Sequence, residues 1–331
     1  MIVSAGSAVA RWLAPVLTVS AIAAVMATTS APGPAIRLAD DSNPLAGQPF
    51  YADPASAAMR AANSTNSPEL ATIASTPQAY WLDQAFPAGS VGGTVSRYVG
   101  AAQAAGAMPI LALYAIPHRD CGSYAAGGFG SADGYRQWID SIAAGLGGSP
   151  ATIVVEPDAV AHTNCLSDDQ LQERFGLLKY AVTALTRDPA AVVYLDGGHS
   201  RWLSADELAN RLTQSGVQQA RGFSLNANNF FATDEEIGYG EAVSGILGGS
   251  HYVIDTSRNG AGPASGALAW CNPSGRALGV APTTATAGAH ADAYLWIKRP
   301  GESDGSCGSG EPGAGQFVNQ YAIDLVHAAS H

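Results

Sequence analysis

Seven short runs of β-branched and apolar residues recur along this chain, each separated from the next by a stretch of helical length, and this alternation limits the fold more than any other feature. The runs are Ala79–Leu82, Met108–Tyr114, Thr152–Glu156, Ala191–Leu195, Gly222–Asn226, Tyr252–Asp255 and Tyr294–Lys298. Between and after them, helices are predicted near Val95–Ala104, Ala132–Gly145, Ser167–Thr186, Ser204–Gln214, Thr233–Leu247 and Gln316–Ala329. Ser167 and Ser204 stand before acids as N-caps, and the TDEE run from Thr233 to Glu236 reads as a capping box. Strands that alternate with helices must pair in parallel, because each return to a parallel neighbour needs a crossover. With seven units in one run and no internal linker, the expected architecture is α/β: a distorted, seven-stranded parallel β/α barrel in a single domain. An open doubly wound sheet is the alternative.

In either topology the loops after the strands gather on one rim. That rim would collect Trp81 and Asp83, Tyr114 and Asp120, Glu156 and Asp158, Asp196 and His199, Asn226 and Asn228, Asp255 and Arg258, then Lys298, Glu302 and Asp304. The opposite strand ends show no such polar series. The sharpest case is TIVVEPD at 152–158, where a buried-type strand runs into two carboxylates and Pro157 stops it. A packing role alone rarely explains that pattern; a partly desolvated acid at a sheet rim does.

Composition narrows the partners. A formal charge of −11 with only 16 Lys and Arg excludes an extended nucleic-acid footprint. Before the strands lie Arg11 and a mostly apolar run from Trp12 to Ala27 that contains Pro15. It is short for a membrane span of about 20 residues and suits a signal peptide or N-terminal anchor over 1–31. A Pro, Ala and Ser-rich linker over 32–42 follows, and the catalytic domain is expected over 43–331. Export to the medium or the cell surface agrees with the four cysteines, Cys121, Cys165, Cys271 and Cys307, which imply two disulfides with three possible pairings. The four cysteines show no CxxC spacing and the seven His are scattered, so neither a metal nor a cofactor is expected. Membrane contact is expected only through the N-terminal segment.

Several aspartates among aromatics, with neither a phosphate-binding loop nor a G-x-S-x-G elbow, point to carbohydrate hydrolysis. Two carboxyl groups suffice there: one protonates the leaving oxygen and the other assists water or attacks. Asp158 and Asp120 are the natural pair, since a neighbouring negative charge raises the affinity of an acid for its proton.

Six ordered blocks then carry a resemblance that covers nearly the whole chain from about Asn43: YAIPHRDCG at 114–122, VVEPD at 154–158, YLDGGHS at 194–200, DTSRNGAGP at 255–263, WCNPSGR at 270–276 and LWIKRPGESDG at 295–305. The chain resembles glycoside hydrolase family 6, inverting β-1,4-glucanases that include endoglucanases and cellobiohydrolases. The resemblance implies Asp158 as general acid, Asp120 as the neighbour that raises its pKa and takes up a proton through water, and Asp304 as candidate base. It implies that Asp196 and Tyr114 shape the site around the reacting sugar. Trp81, His199, Trp202, Asn226, Trp270, Lys298 and Glu302 are expected to bind substrate. It also implies the sequential disulfides Cys121–Cys165 and Cys271–Cys307. The segment Gly305–Gly315 is short beside the roofing loops of exo-acting members, so an open cleft and internal attack on a β-1,4-glucan are expected; a monomer is expected as well.

One residue departs from the family pattern: Ala126 stands where a serine usually helps to hold the nucleophilic water. It favours the main alternative, a weakened glucan-binding protein; a cell-surface interaction module and an exo-acting enzyme are the others. Some residues have plainer readings. Asp255 and Arg258 form a structural ion pair, Trp296 belongs to the core, Trp81 and Trp202 can pack the rim, and His118 and His162 are solvated loop residues.

Overall fold

The computed structural model describes residues 1–4, 6, 42–308 and 310–329. The chain divides into two units, Met1–Ala35 and Ile36–His331, and the sheet and its helices belong to the second. The expected leader and linker over 1–42 lie almost entirely outside the described residues.

Seven strands form one sheet in sequence order, every neighbouring pair parallel. They are β1 (Tyr80–Leu82), β2 (Ile110–Leu113), β3 (Ala151–Val155), β4 (Ala191–Asp196), β5 (Gly222–Leu225), β6 (His251–Asp255) and β7 (Ala291–Leu295). The sheet curls into a distorted barrel that the ladder does not close. Between β1 and β7 the seam is crossed by Ala79 N–H donating to Trp296 O at 2.9 Å and Trp81 Nε1 donating to Ile297 O at 2.8 Å.

The period of two in the strands decides the layers. Ile110, Ala112, Val154, Tyr194, Val253 and Ala293 fill the barrel interior. Their alternates Leu111, Leu113, Ile153, Val155, Val193 and Leu195 face outward and pack under the helices. Those helices are α3 (Ala88–Ala104), α4 (Ala132–Leu146), α5 (Asp168–Leu185), α6 (Ala205–Gln214) and α7 (Thr233–Ile246). Two helices without a counterpart in the sequence-based expectation precede β1: α1 (Ala57–Thr65), capped by Ser56, and α2 (Pro68–Ser75), capped by Ser67 with proline in its first turn. They pack with α8 (Asn319–Ala329) around Trp296, Leu70 and Ile73 in a separate cluster.

The differences from expectation have local causes. Helix α3 starts seven residues before the expected Val95, across Gly89, Gly92 and Gly93. Those glycines weaken its helical signal, but a Cβ at Gly92 would lie 2.6 Å from Ser141 O, so Gly92 lets α3 approach α4. Strand β7 lies three residues earlier than predicted, because its register with β6 ends at the Asp255–Leu295 pair. Beyond it Trp296 enters the core as expected, with Nε1 donating to Val280 O at 3.0 Å. Ser167 and Ser204 cap α5 and α6. Thr233 caps nothing: Ala232 is the N-cap of α7, and Glu236 turns away to the Ser200 backbone.

A Cβ at Gly222 would overlap the carbonyl of His251 on the adjacent strand. Gly222→Ala is therefore expected to lower stability by about 1–3 kcal/mol, read as a lower urea midpoint at unchanged slope; an unchanged midpoint would contradict this packing.

Candidate active site

Parallel strands in sequence order bring all seven carboxyl ends to one rim, so the loops after them converge. The backbone there is unusual. His118, Asp120, Cys121, Glu156, Asp158, Asn226 and Asn228 all have φ between 48° and 69°. Non-glycine residues enter this left-handed region at a cost, and clusters of them mark sites held by their surroundings.

Asp158 lies just after β3 and is partly buried, with Oδ1 closed off from solvent and without a hydrogen-bond partner among the described residues. Its backbone N–H donates to Asp196 Oδ1 at 2.8 Å. Asp196, at the end of β4, is wholly buried and also accepts from Gly198 N at 3.0 Å and Ser224 Oγ at 2.7 Å. Burial pushes its carboxyl up to about 7, against three donors that favour the ionised form. Burial, then the negative charges of Asp196 and Asp120, drive the Asp158 carboxyl well above the usual carboxylate range, with Lys298 opposing. Asp158 is thus the member of the group that keeps a proton.

Asp120 reaches the same place from the loop after β2. Its Oδ2 accepts Ala125 N–H at 2.8 Å, and its Oδ1 lies 3.7 Å from His162 Nδ1. His162 is therefore not the solvated loop residue expected; it shares a small recess with Asp120 and Asp158 and stands 5.5 Å from the Trp202 ring. The Cys121–Cys165 disulfide ties the Asp120 loop to the segment after Asp158, and Cys271–Cys307 ties two further loops; both pairings are the sequential ones.

The Asp304 side chain is fully enclosed. Both its oxygens lie 2.9 Å from Arg258 Nη1, Lys298 Nζ stands at 3.1 Å, and Asn272 N–H donates at 2.9 Å. Burial raises its pKa, but Arg258 and Lys298 outweigh that and hold it below the usual range. The expected Asp255–Arg258 pair is thus replaced by Arg258–Asp304. Asp255 instead accepts the backbone N–H groups of Ser257, Lys298 and Asn228, fixing the ends of β6 and β7.

A cleft of about 1020 Å³ opens over these groups, lined by Trp81, Tyr114, Asp158, Lys298, Glu302 and Asp304 among others. Tyr114 packs edge-on to Trp81 with centroids 5.2 Å apart, and the Arg119 guanidinium lies 4.3 Å from its ring centre. Glu302 is buried and pairs with Arg299 at 2.9 Å. His199 and Trp202 form a separate aromatic group with Phe231. Burial pushes His199 down to about 4; its Nδ1 accepts Arg201 N–H at 3.2 Å, which leaves Nε2 as the donor of a neutral ring. Trp270 leans on Tyr124, with centroids 5.9 Å apart.

Asn226 is not placed to meet a ligand. It is fully buried, and its amide is occupied by the carbonyls of Phe231 and Asp255 and the N–H of Phe231. Sequence reasoning gave no role to Arg119 or Arg174, the first spread over the Asp120 loop, the second buried on α5. The signal for Arg174 was a cation inside the apolar stripe that includes Phe175, Leu178 and Val182.

Residues 42–329 match the family described as Glycosyl hydrolases family 6. The chain is similar to a solved structure of the endoglucanase Cel6 from Mycobacterium tuberculosis in complex with methyl-cellobiosyl-4-deoxy-4-thio-β-D-cellobioside, at 72% identity and a TM-score of 0.87, covering 88% of this chain and 100% of that one. It is 44% identical to Endoglucanase A of Cellulomonas fimi over 85% of its own length, and spans 61% of that protein. It is 40% identical to Endoglucanase 1 of Streptomyces halstedii, with 84% of this chain and 88% of that protein covered.

The buried acids set a pH dependence of stability. Glu156 and Glu236 are pushed by burial from 4.5 up to about 7, and Asp158 shifts in the same direction. A raised folded-state value means the folded chain binds more protons than the unfolded chain between 4.5 and about 7, so stability falls as pH rises through that window. Burial lowers His199 and His251, which work the opposite way but are fewer. Thermal unfolding is expected at higher temperature at pH 5 than at pH 8, with a smaller difference in Glu236→Gln; a rise in melting temperature toward pH 8 would refute this account.

Proposed function

The chain belongs to family 6 of the glycosyl hydrolases, and from that premise we propose that it hydrolyses internal β-1,4-glucosidic bonds of cellulose or soluble β-glucan with inversion, Asp158 acting as general acid. The observation that carries this reading is the Asp158 carboxyl itself: it faces the cleft, has an unengaged buried oxygen, and is kept protonated by burial beside Asp196 and Asp120. A protonated acid with a free oxygen at the floor of a sugar-sized cleft is what departure of a glycosidic oxygen requires.

In this mechanism the glucan lies along Trp81 and Tyr114, the ring of Tyr114 presses on the reacting sugar, and Lys298 and Glu302 hold its hydroxyls. Asp158 protonates the leaving oxygen while water attacks from the opposite face, with the carboxyl groups spaced at ~6.5–9.5 Å for inversion. Asp120 receives the proton of that water through a second water, its own carboxylate being steadied by Ala125 N–H, one residue before Ala126. The double clamp of Arg258 and Lys298 makes Asp304 a poor base; its carboxylate holds Lys298 in place beside the substrate hydroxyls.

Internal attack is supported by the short Gly305–Gly315 segment and by the endoglucanase names of its relatives. The contact of Tyr124 with Trp270 favours the second reading, an enclosed cleft and chain-end attack. We also propose that residues 1–31 export or anchor the chain and that residues 32–42 tether a monomeric catalytic domain. Two disulfides support passage through an oxidising compartment.

Asp158→Asn is expected to lower reducing-sugar release from soluble β-glucan by about 10²–10⁴-fold while oligosaccharide binding persists. Binding without wild-type turnover would establish the glucan-binding alternative instead. Proton NMR of early product should show the α-anomer; β-anomer first would mean retention. Viscosity of the glucan solution should drop ahead of reducing-end release, whereas a proportional fall would favour chain-end attack.

A further inference from the structure

Two buried charges take no part in the steps above, Glu156 and Arg174, at 0% and 3% exposure. Neither turns toward the cleft. Glu156 commits its carboxylate to the turn after β2: Ala115 N–H donates to both of its oxygens at 3.0 and 2.9 Å, and Ile116 N–H donates at 3.1 Å. Arg174 reaches the same turn from α5. Its Nη2 donates to Pro117 O at 2.7 Å and His118 O at 3.0 Å, and its Nη1 to Ala159 O at 3.1 Å.

The division of labour is complete. The carboxylate takes the N–H groups of residues 115 and 116, and the guanidinium takes the carbonyls of residues 117 and 118. Each also belongs to the other side: Glu156 stands two residues before Asp158 on the chain, and Ala159, held by Arg174, comes immediately after it. Both turns contain left-handed residues, His118 and Asp120 in one and Glu156 and Asp158 in the other, which persist only where the surroundings hold them.

We infer that Glu156 and Arg174 form a clamp that fixes the Asp120 turn against the Asp158 turn, and so sets the separation of the two carboxyl groups. Both are positioning residues: they act through the backbone and touch neither substrate nor reacting atoms. The inference rests on the assignment of Asp158 as general acid. Asp158 is faced by Asp196 from β4, Asp120 from the loop after β2, and Lys298 and Asp304 from the segment after β7. Tyr114 also lies beside it. Glu156 is faced by Arg119, Tyr135 and Arg174.

The test compares Glu156→Gln with Arg174→Gln on soluble β-1,4-glucan, following kcat against pH. A general acid works while protonated, so activity falls as pH rises through its pKa. If the clamp loosens, Asp120 drifts from Asp158, the repulsion that favours the proton weakens, and the alkaline limb moves to lower pH. Both variants are expected to move it down, with kcat reduced by about ten- to a hundredfold. Binding of methyl-cellobiosyl-4-deoxy-4-thio-β-D-cellobioside should stay within about threefold of wild type, as a positioning role requires. Arg174→Lys, which keeps the charge but gives up the fork, should move the limb the same way by less, and it serves if a neutral variant fails to fold.

Through-space charge alone predicts a different pattern: removing a negative charge lowers the limb and removing a positive charge raises it. Opposite shifts in the two Gln variants would overturn the clamp, and so would limbs that stay at the wild-type pH while kcat falls. Wild-type turnover by Asp158→Asn would overturn the acid assignment itself and remove the basis for the clamp, a result distinguishable because it needs neither clamp variant.

Discussion

The hydrogen bond from the Asp158 backbone N–H to the Asp196 carboxylate joins the ends of two adjacent strands and decides the electrostatics of the rim. It gives Asp196 one of three donors that favour its negative charge against the burial that pushes its carboxyl up to about 7. That charge then sits beside the Asp158 carboxyl, which has no donor of its own for Oδ1. One buried acid is satisfied by donors and rises only to about 7; its neighbour, unsatisfied at Oδ1, is driven well above the usual carboxylate range. The same chemical group takes two roles because the backbone offers hydrogen bonds to only one of them.

Asp304, which lines the same cleft, obeys the reverse logic. Asp304 has Arg258 and Lys298 against it, so burial strengthens the ion pairs instead of neutralising the acid. Removing Asp304 would leave two buried cations uncompensated, which is costly. The cleft is therefore lined both by a carboxyl driven toward its protonated form, Asp158, and by one held ionised, Asp304. That asymmetry supports one acid and one ionised anchor for Lys298 better than two interchangeable carboxylates.

Stability is given up for this arrangement. Glu156, Asp196 and Glu236 are buried carboxyl groups, and the left-handed residues at 118, 120, 121, 156 and 158 add backbone strain. The rest of the barrel compensates with strands covered on both faces and with two disulfides that secure the loops. Tight backbone approaches at Gly92 and Gly222 bring the elements of that scaffold close together. Rigid strands end in strained, charged loops, and function resides at that junction.

Much of this was legible in the residue order. The alternation of apolar runs with helical segments determined a parallel sheet and thereby the rim on which Asp120, Asp158, Asp196 and Asp304 meet, because strand direction is fixed once pairing is parallel. The motif blocks supplied the disulfide pairing that spacing left open. Helices α1 and α2 escaped notice because no strand precedes them to set the alternation, and β7 was displaced because apolar residues continue past the end of its ladder. Partner choice was not legible at all. That Arg258 pairs with Asp304 rather than Asp255, that His162 faces Asp120, that Asn226 turns inward, and that Glu156 and Arg174 grip one turn between them are facts of side chains meeting across 29 to 57 positions of chain. Residue order determines which groups are delivered to the rim; only packing in three dimensions decides which of them are close enough to share a charge or a proton.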